Sequence, residues 1–264
     1  MEGGLIQNAR GRFYHLDCGP GDLAPYIFTC GHPDRVRKIA RHLDRVTIRR
    51  RHREFLTITG TYKGIPVSVM ATGIGAASSA IAIVEAAQLV PHATFIRLGT
   101  TGALQGHIAL GDLVITSRAL RDEDTTRCYA PARVQAWAHP QVLAALKQAA
   151  QALKVPHHVG VTCTTADFYA GQGRVVPGFP TLKPEKVANL SRAGVLNFEM
   201  EMSAYLTLAR VSIYRLRAGG ACAVMVNRIH ETFATPRLMR LGERRLIAVG
   251  LRSVEILAAE DGIK

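Results

Sequence analysis

Short apolar runs alternate with helix-length segments along almost the whole 264-residue chain, and this alternation is what most restricts the fold. Strands are predicted at Tyr26–Cys30, Val46–Ile48, Phe55–Thr59, Pro66–Ala71, Thr94–Leu98, Asp112–Thr116, His158–Thr164, Val195–Asn197 and Gly219–Asn227. Helices are predicted at Asp34–Leu43, Ala76–Leu89, His139–Leu153, Lys183–Ala193, about Met200–Val211 and Pro236–Ala259. A turn at Tyr62-Lys63-Gly64 joins two of the strands, and the strand from Thr94 is expected to end at Gly99. Strands separated by helices imply an α/β fold around a mainly parallel central sheet. No linker and no repeat interrupts the pattern, so one domain spanning residues 1–264 is expected. In open α/β sheets ligands sit at the loops beyond the strand ends.

Composition narrows the class further. With 48% hydrophobic and 20% charged residues the chain is neither disordered nor collagen-like, and a core of this size needs no disulfide or metal staple. The formal charge is +13, carried mostly by arginine, with 26 Arg against 7 Lys. That excess suits anions, either a nucleic acid or a small phosphate- or carboxylate-bearing substrate. Cys18, Cys30, Cys128, Cys163 and Cys222 form no CxxC pair, which argues against a zinc ribbon or a disulfide framework. The stretch Met1–Pro20 lacks an apolar signal-peptide core, and Ser78–Val90 is too short and too interrupted to span a membrane. A cytoplasmic protein is expected.

Several short motifs fail on inspection. Gly73-Ile74-Gly75 lacks the third glycine of a dinucleotide fingerprint and no Walker lysine follows it. His230-Glu231 opens like a metalloprotease motif, but Ala234 replaces the second histidine. No GxSxG elbow is present. Nine basic residues crowd Arg35–Arg53, yet only Phe55 lies near to stack a base. A solvated or intersubunit surface fits that run better than a nucleic-acid patch.

Four separated segments carry the chemistry. Gly31-His32-Pro33-Asp34-Arg35 opens a helix after a strand, where backbone N–H groups and an arginine make an anion site. Arg97 lies inside an apolar strand, where it needs a partner, and Gly99-Thr100-Thr101-Gly102 follows it. Phe168 to Arg174 sets an aromatic before Gln172 and Arg174 on a glycine-rich loop. Asn197-Phe198-Glu199-Met200-Glu201 places two carboxylates at a strand-to-helix junction.

Taken together these segments resemble the hexameric nucleoside phosphorylase family, and most closely its uridine-cleaving branch. The matching stretches run from Tyr14-His15-Leu16 through Pro33-Asp34-Arg35-Val36, His52-Arg53-Glu54-Phe55, Thr72-Gly73-Ile74-Gly75, Arg97–Gln105, Phe168–Arg174 and Asn197–Glu201 to Val226-Asn227-Arg228. The resemblance implies a central mixed, partly barrel-like sheet flanked by helices. It implies cleavage of a nucleoside by phosphate to free base and ribose 1-phosphate, through a cation-like sugar. By similarity Gly31, Arg35, Arg97 and Thr100 hold phosphate, joined by Arg53 of a neighbouring subunit. Glu201, Met200, Thr100 and a neighbour's His15 hold the ribose. Phe168, Gln172 and Arg174 meet the base, with Thr101, Gly102, Phe198, Glu199 and Arg228 around it. Arg97, Arg174, Gln172 and Glu201 are the expected catalytic residues.

The resemblance also implies a trimer of dimers, uridine and phosphate as partners, and no cofactor or metal. Glu54, Ile74 and Ser78 match positions at which some relatives hold a monovalent cation. Gln172 and Arg174 suit a uracil edge, and Val226-Asn227-Arg228 lacks the aspartate that the purine branch uses to protonate N7. The chain departs from the family at His32, usually Asp, at Phe198, often Tyr, at Gly173, and in a short Val175–Pro184 segment. Two alternatives stay open: a purine nucleoside or methylthioadenosine phosphorylase, and a basic nucleic-acid-binding protein reusing the fold.

Overall fold

A computed structural model describes residue 4 and residues 6–263, so the expectation for the extreme N-terminus falls partly outside the described residues, at 1–3 and 5. In chain order, β1 (Tyr26–Cys30) leads into α1 (Pro33–Ala40), then β2 (Arg45–His52), β3 (Phe55–Tyr62) and β4 (Ile65–Ala71). Helix α2 (Ala76–Leu89) precedes β5 (Thr94–Ala103), β6 (Leu113–Asp122) and the two-residue β7 (Ala136–Trp137). There follow α3 (Pro140–Ala152), β8 (His157–Thr165), α4 (Lys186–Arg192), β9 (Asn197–Glu199), α5 (Met202–Val211), β10 (Arg217–Asn227), β11 (Thr232–Phe233) and α6 (Pro236–Glu260).

The strands join into one sheet whose middle closes on itself. Successive pairings β5–β10, β10–β6, β6–β8, β8–β9 and β9–β5 make a five-stranded barrel. A wing leaves the barrel at β5 through β1 and β4 and ends in the antiparallel strands β3 and β2. The sheet is therefore mixed rather than mainly parallel. Closing the barrel sets β6 against β10 and β9 against β5 in antiparallel sense, and a tight hairpin joins β3 to β4. In that hairpin Lys63 and Gly64 both adopt positive φ, as a two-residue turn matched to strand twist requires.

Helices cover both faces of the wing and the adjoining barrel. Tyr26, Phe28 and Cys30 pack into one core with α1, α3 and α6, whereas Ile27 joins a second core with α2 and α5. A strand covered on both faces reads as a continuous apolar run, which is why β1 was legible at its true boundaries. Helix α6 is capped by Thr235, whose hydroxyl accepts from the Leu238 N–H at 3.3 Å, with Pro236 in the first turn.

Candidate active site

β5 is the strand on which the site is built. Its first half pairs with β1 as far as Thr29 opposite Arg97, and its end pairs with β9 from Gly102 opposite Phe198. Between these registers one edge of β5 is released by β1 and not yet taken up by β9. A cleft of about 390 Å³ opens there, lined by Arg97, Gly99, Thr100, Thr101 and Gly102. This is a switch point of the kind at which α/β sheets place ligands.

Arg97 is 4% exposed and enters the cleft from a strand that carries no other charged residue. Its Nε donates to Glu199 at 3.2 Å and its Nη2 donates to Glu201, so the buried cation is doubly paired, as such a residue must be. Burial opposes its charge, but Glu201 and Glu199 outweigh that and hold the guanidinium protonated more firmly than a free one. Nη1 is buried with no hydrogen-bond partner among the described residues.

Glu199, which the resemblance places only around the base, organises the junction. It accepts from the Thr164 hydroxyl at 2.5 Å and from the N–H groups of Glu201 and Met202, both at 2.8 Å. It thus satisfies free donors at the start of α5 while orienting Arg97. Glu201 turns its other oxygen to the Gly75 N–H at 2.8 Å, which ties the Gly73-Ile74-Gly75 turn to the cleft.

The opposite wall comes from the loop after β8. Gln172 is 4% exposed, and its side-chain oxygen accepts from Arg174 Nη1 at 2.7 Å. Arg174 also lies 4.2 Å above the Phe168 ring, so the guanidinium occupies one face of the aromatic expected beside the base. Lys186, absent from the sequence reading, donates to the Gly171 carbonyl and to Asp122, and so clamps the loop that presents Gln172. Arg228 steadies the same loop by donating to the Gln172 carbonyl at 3.3 Å. Burial, and then the nearby Arg174 charge, bring its pKa down to about 10.

Gly31, His32 and Arg35 complete the wall at the start of α1. Arg35 donates to the Leu98 carbonyl and to Glu243, both at 3.1 Å. His32 caps the helix, its Nδ1 accepting from the Asp34 N–H at 3.1 Å. Phe198, Glu199, Met200 and Glu201 also reach the cleft, as does Ile74, one of the three residues matched to a cation position. Of the other two, Ser78 donates to the Thr72 carbonyl. A Cβ added at Gly73 would meet both the Glu54 Cγ at 3.2 Å and the Ser78 Oγ at 3.0 Å, so these side chains flank one turn. Among the described residues no cluster of three or more His, Cys, Asp and Glu side chains is placed to hold a metal ion.

His15, Arg53 and Arg228 do not line the cleft of the single chain. His15 Nδ1 lies 2.6 Å from buried Glu85, and Arg53 donates to the Tyr14 hydroxyl at 3.1 Å. The two residues thus gather around Tyr14, whose ring packs edge-on to His15. Asn227, read in the sequence as bearing on base choice, instead folds its own loop. Its amide donates to the Gln105 and Ile108 carbonyls, and its oxygen accepts from the Ile229 and His230 N–H groups. Sequence reasoning also missed the apolar rim of Met225, Val226, Phe233 and Met239. Met225 and Val226 are consecutive in β10 yet both reach the cleft, because a bulge between Val224 and Val226 re-aims the strand.

The phosphorylase superfamily model matches residues 25–240, which take in every strand and every residue of the cleft. The chain belongs to the phosphorylase superfamily. Within it, a uridine phosphorylase of Thermococcus kodakarensis is 44% identical over 97% of this chain and 90% of its own. A uridine phosphorylase of Escherichia coli is 37% identical over 89% of this chain and 94% of its own. A guanosine phosphorylase of Halorubrum lacusprofundi is 32% identical over 80% of this chain and 81% of its own. The phosphorylase superfamily thus includes relatives of this chain that act on a pyrimidine and on a purine nucleoside. No helix among the described residues is long and apolar enough to cross a membrane.

Proposed function

We propose that this chain is a uridine phosphorylase of pyrimidine salvage, acting in the cytoplasm, with deoxyuridine and thymidine as further substrates. One observation carries the reading. A buried arginine, paired through two of its nitrogens and free at the third, shares a cleft with a buried carboxylate and a buried amide. A phosphate oxygen attacks C1′ of the ribose as the bond from C1′ to the base nitrogen breaks. The bonding electron pair leaves with the uracil, whose nitrogen gains, by way of solvent, the proton that the hydrogen phosphate gives up, and the sugar departs as ribose 1-phosphate.

Each group then has work suited to its chemistry. Arg97, Arg35, Thr100 and the Gly31 N–H bind phosphate, and charge-assisted hydrogen bonds from guanidinium groups suit a dianion. Glu201 accepts from the ribose hydroxyls, with Met200 against the sugar. Gln172 supplies a donor and an acceptor to the uracil edge. Arg174 faces a carbonyl oxygen on which charge gathers as the base leaves, so its help grows in the transition state. Arg53 and His15 serve the cleft of a neighbouring subunit in a trimer of dimers. Phosphate is a co-substrate, and no step calls on a cofactor.

The test is base release from uridine, thymidine, deoxyuridine, inosine, adenosine and methylthioadenosine, each with and without phosphate. Cleavage of uridine only with phosphate is the expected result. Cleavage of purine nucleosides alone would move the chain to the other branch. Gln172→Ala should lower kcat/KM for uridine by about 100-fold, as expected when a buried polar contact to substrate is lost. An unchanged rate would remove Gln172 from base recognition.

A further inference from the structure

A second basic hollow, of about 620 Å³, lies behind the wall of the cleft, between α1 and α6. Lys38, Arg41 and His42 line it from the end of α1 and the turn beyond. Arg237, Arg240 and Arg244 line it from α6, three and four residues apart and so on one helical face. The adjacent Met239 faces the other way, into the cleft.

Five permanent cations therefore confront a single carboxylate, Glu243. Arg41, Arg237, Arg240 and Arg244 form no ion pair among the described residues. The four arginines are exposed, and like charges at helical spacing repel, a repulsion that an anion lying between them would relieve. Glu243 is already engaged. It accepts from Lys38 Nζ at 2.5 Å on the hollow side and from Arg35 Nε at 3.1 Å on the cleft side. Burial pushes its carboxyl up, but the hydrogen bonds from Lys38 and Arg35 outweigh this and keep it ionised.

We propose that the hollow is a second anion site, built for a linear polyphosphate group such as the tail of a nucleoside triphosphate. Row-like spacing of the arginines on α6 opposite Lys38 and Arg41 matches a chain of phosphates better than a single one. Occupation draws Lys38 away from Glu243 and leaves that carboxylate to Arg35 alone. It also adds negative charge beside the cleft. Both effects weaken binding of inorganic phosphate at Arg35. This coupling rests on the phosphate role proposed for Arg35; the anion site itself does not.

Calorimetric titration of the intact protein with inorganic tripolyphosphate and, separately, with ATP tests the site. The double variant Arg240→Ser/Arg244→Ser should bind both at least about tenfold more weakly, since two charge-assisted contacts are lost. Removing like-charge neighbours should leave its melting temperature unchanged or higher, so unfolding would not account for the loss. Equal affinity for the two probes assigns the site to the phosphate chain, and a clear preference for ATP assigns it to nucleotides. No binding of either, or equal binding by parent and double variant, overturns the proposal.

In steady state, tripolyphosphate should raise the KM for phosphate in the parent and much less in the double variant, with kcat unchanged in both. Direct competition inside the cleft would raise it equally in the two proteins and would overturn the coupling. A chain without phosphorolytic activity would defeat the proposed function while leaving calorimetry to decide the site.

Discussion

Arg97 shows how much one residue settles. It is buried, it sits at the edge where β5 is passed from β1 to β9, and it is held by two carboxylates that are themselves buried. Removing the cation leaves Glu199 and Glu201 uncompensated in the interior. Arg97→Met should therefore cost about 3–5 kcal/mol of stability, because a buried charge left without its partner is far worse than the intact pair is good. Urea denaturation measures it, and a loss under about 1 kcal/mol would mean that water reaches these carboxylates freely. Activity should fall as well, but the stability effect is independent of any assigned substrate. The same logic explains why Arg97 was legible in the sequence: a lone guanidinium in an apolar strand needs a charged partner, and Glu199 and Glu201 lay in another segment of the right kind. Lys186 offered no such signal. It sits in an unremarkable polar stretch, and its grip on the Gly171 carbonyl exists only once α4 has folded against the loop.

At the scale of elements, glycine is where reading and structure part. Gly99 marks a stop in sequence, because glycine weakens strands. In the structure β5 runs on to Ala103, and Gly99 is needed for proximity: a Cβ there would lie 2.7 Å from the Cys222 Sγ and 3.0 Å from the Arg97 Nη2. Gly220 on β10 plays the same part opposite Arg97, where a Cβ would lie 2.5 Å from the Arg97 carbonyl oxygen and 2.6 Å from the Met202 Cε. Gly220→Ala should destabilise the barrel seam by about 1–3 kcal/mol, the usual cost of overpacking. Thermal melting checks this, and an unchanged Tm would mean that β5 and β10 can part at little cost. Elements buried on both faces or ended by strong punctuation, such as β1 and α2, were legible to the residue. The arginine run of β2 was not, since its charges mask a period of two that exposure reveals: Arg45, Arg49 and Arg51 point outward while alternate residues turn in. The polar half of the candidate site could be read because its chemistry needs particular residue types. Its apolar rim could not, because Met225 and Phe233 look like any core residue until the bulge and β11 place them.

At the scale of the whole molecule, closure and sharing are the two questions. The chain end is fastened by Asp261, which accepts from Arg217 Nη1 at 2.9 Å and Nη2 at 2.5 Å and from the Tyr26 hydroxyl at 2.6 Å. These contacts tie the end of α6 to β10 and β1. Hydrogen bonds from Arg217, outweighing burial, hold the Asp261 carboxyl below its ordinary range. Its contribution is therefore complete above the ordinary carboxylate pKa of about 4 and is lost as pH falls through the lower folded value. Asp261→Asn should cost about 1–2 kcal/mol at pH 7, and the gap to the parent should close as urea melts are carried toward acid. A gap independent of pH would trace the effect to packing. Sharing bears on His15 and Arg53, which cluster around Tyr14 and do not line the cleft of their own chain. If they serve a neighbour, each site draws Arg97 from one subunit and Arg53 from another. Arg53→Ala and Arg97→Met would each inactivate a uniform assembly. In a pair formed from one subunit of each, the site that keeps both arginines is intact while the other lacks both. Random mixing in equal amounts, after dissociation and reassembly, should then restore about a quarter of the parent activity, given a two-fold exchange of residues. Recovery in the mixture, with none in either variant alone, would establish that the site is built by two chains. No recovery would return the function of Arg53 to its own subunit, where its hydrogen bond to Tyr14 already places it.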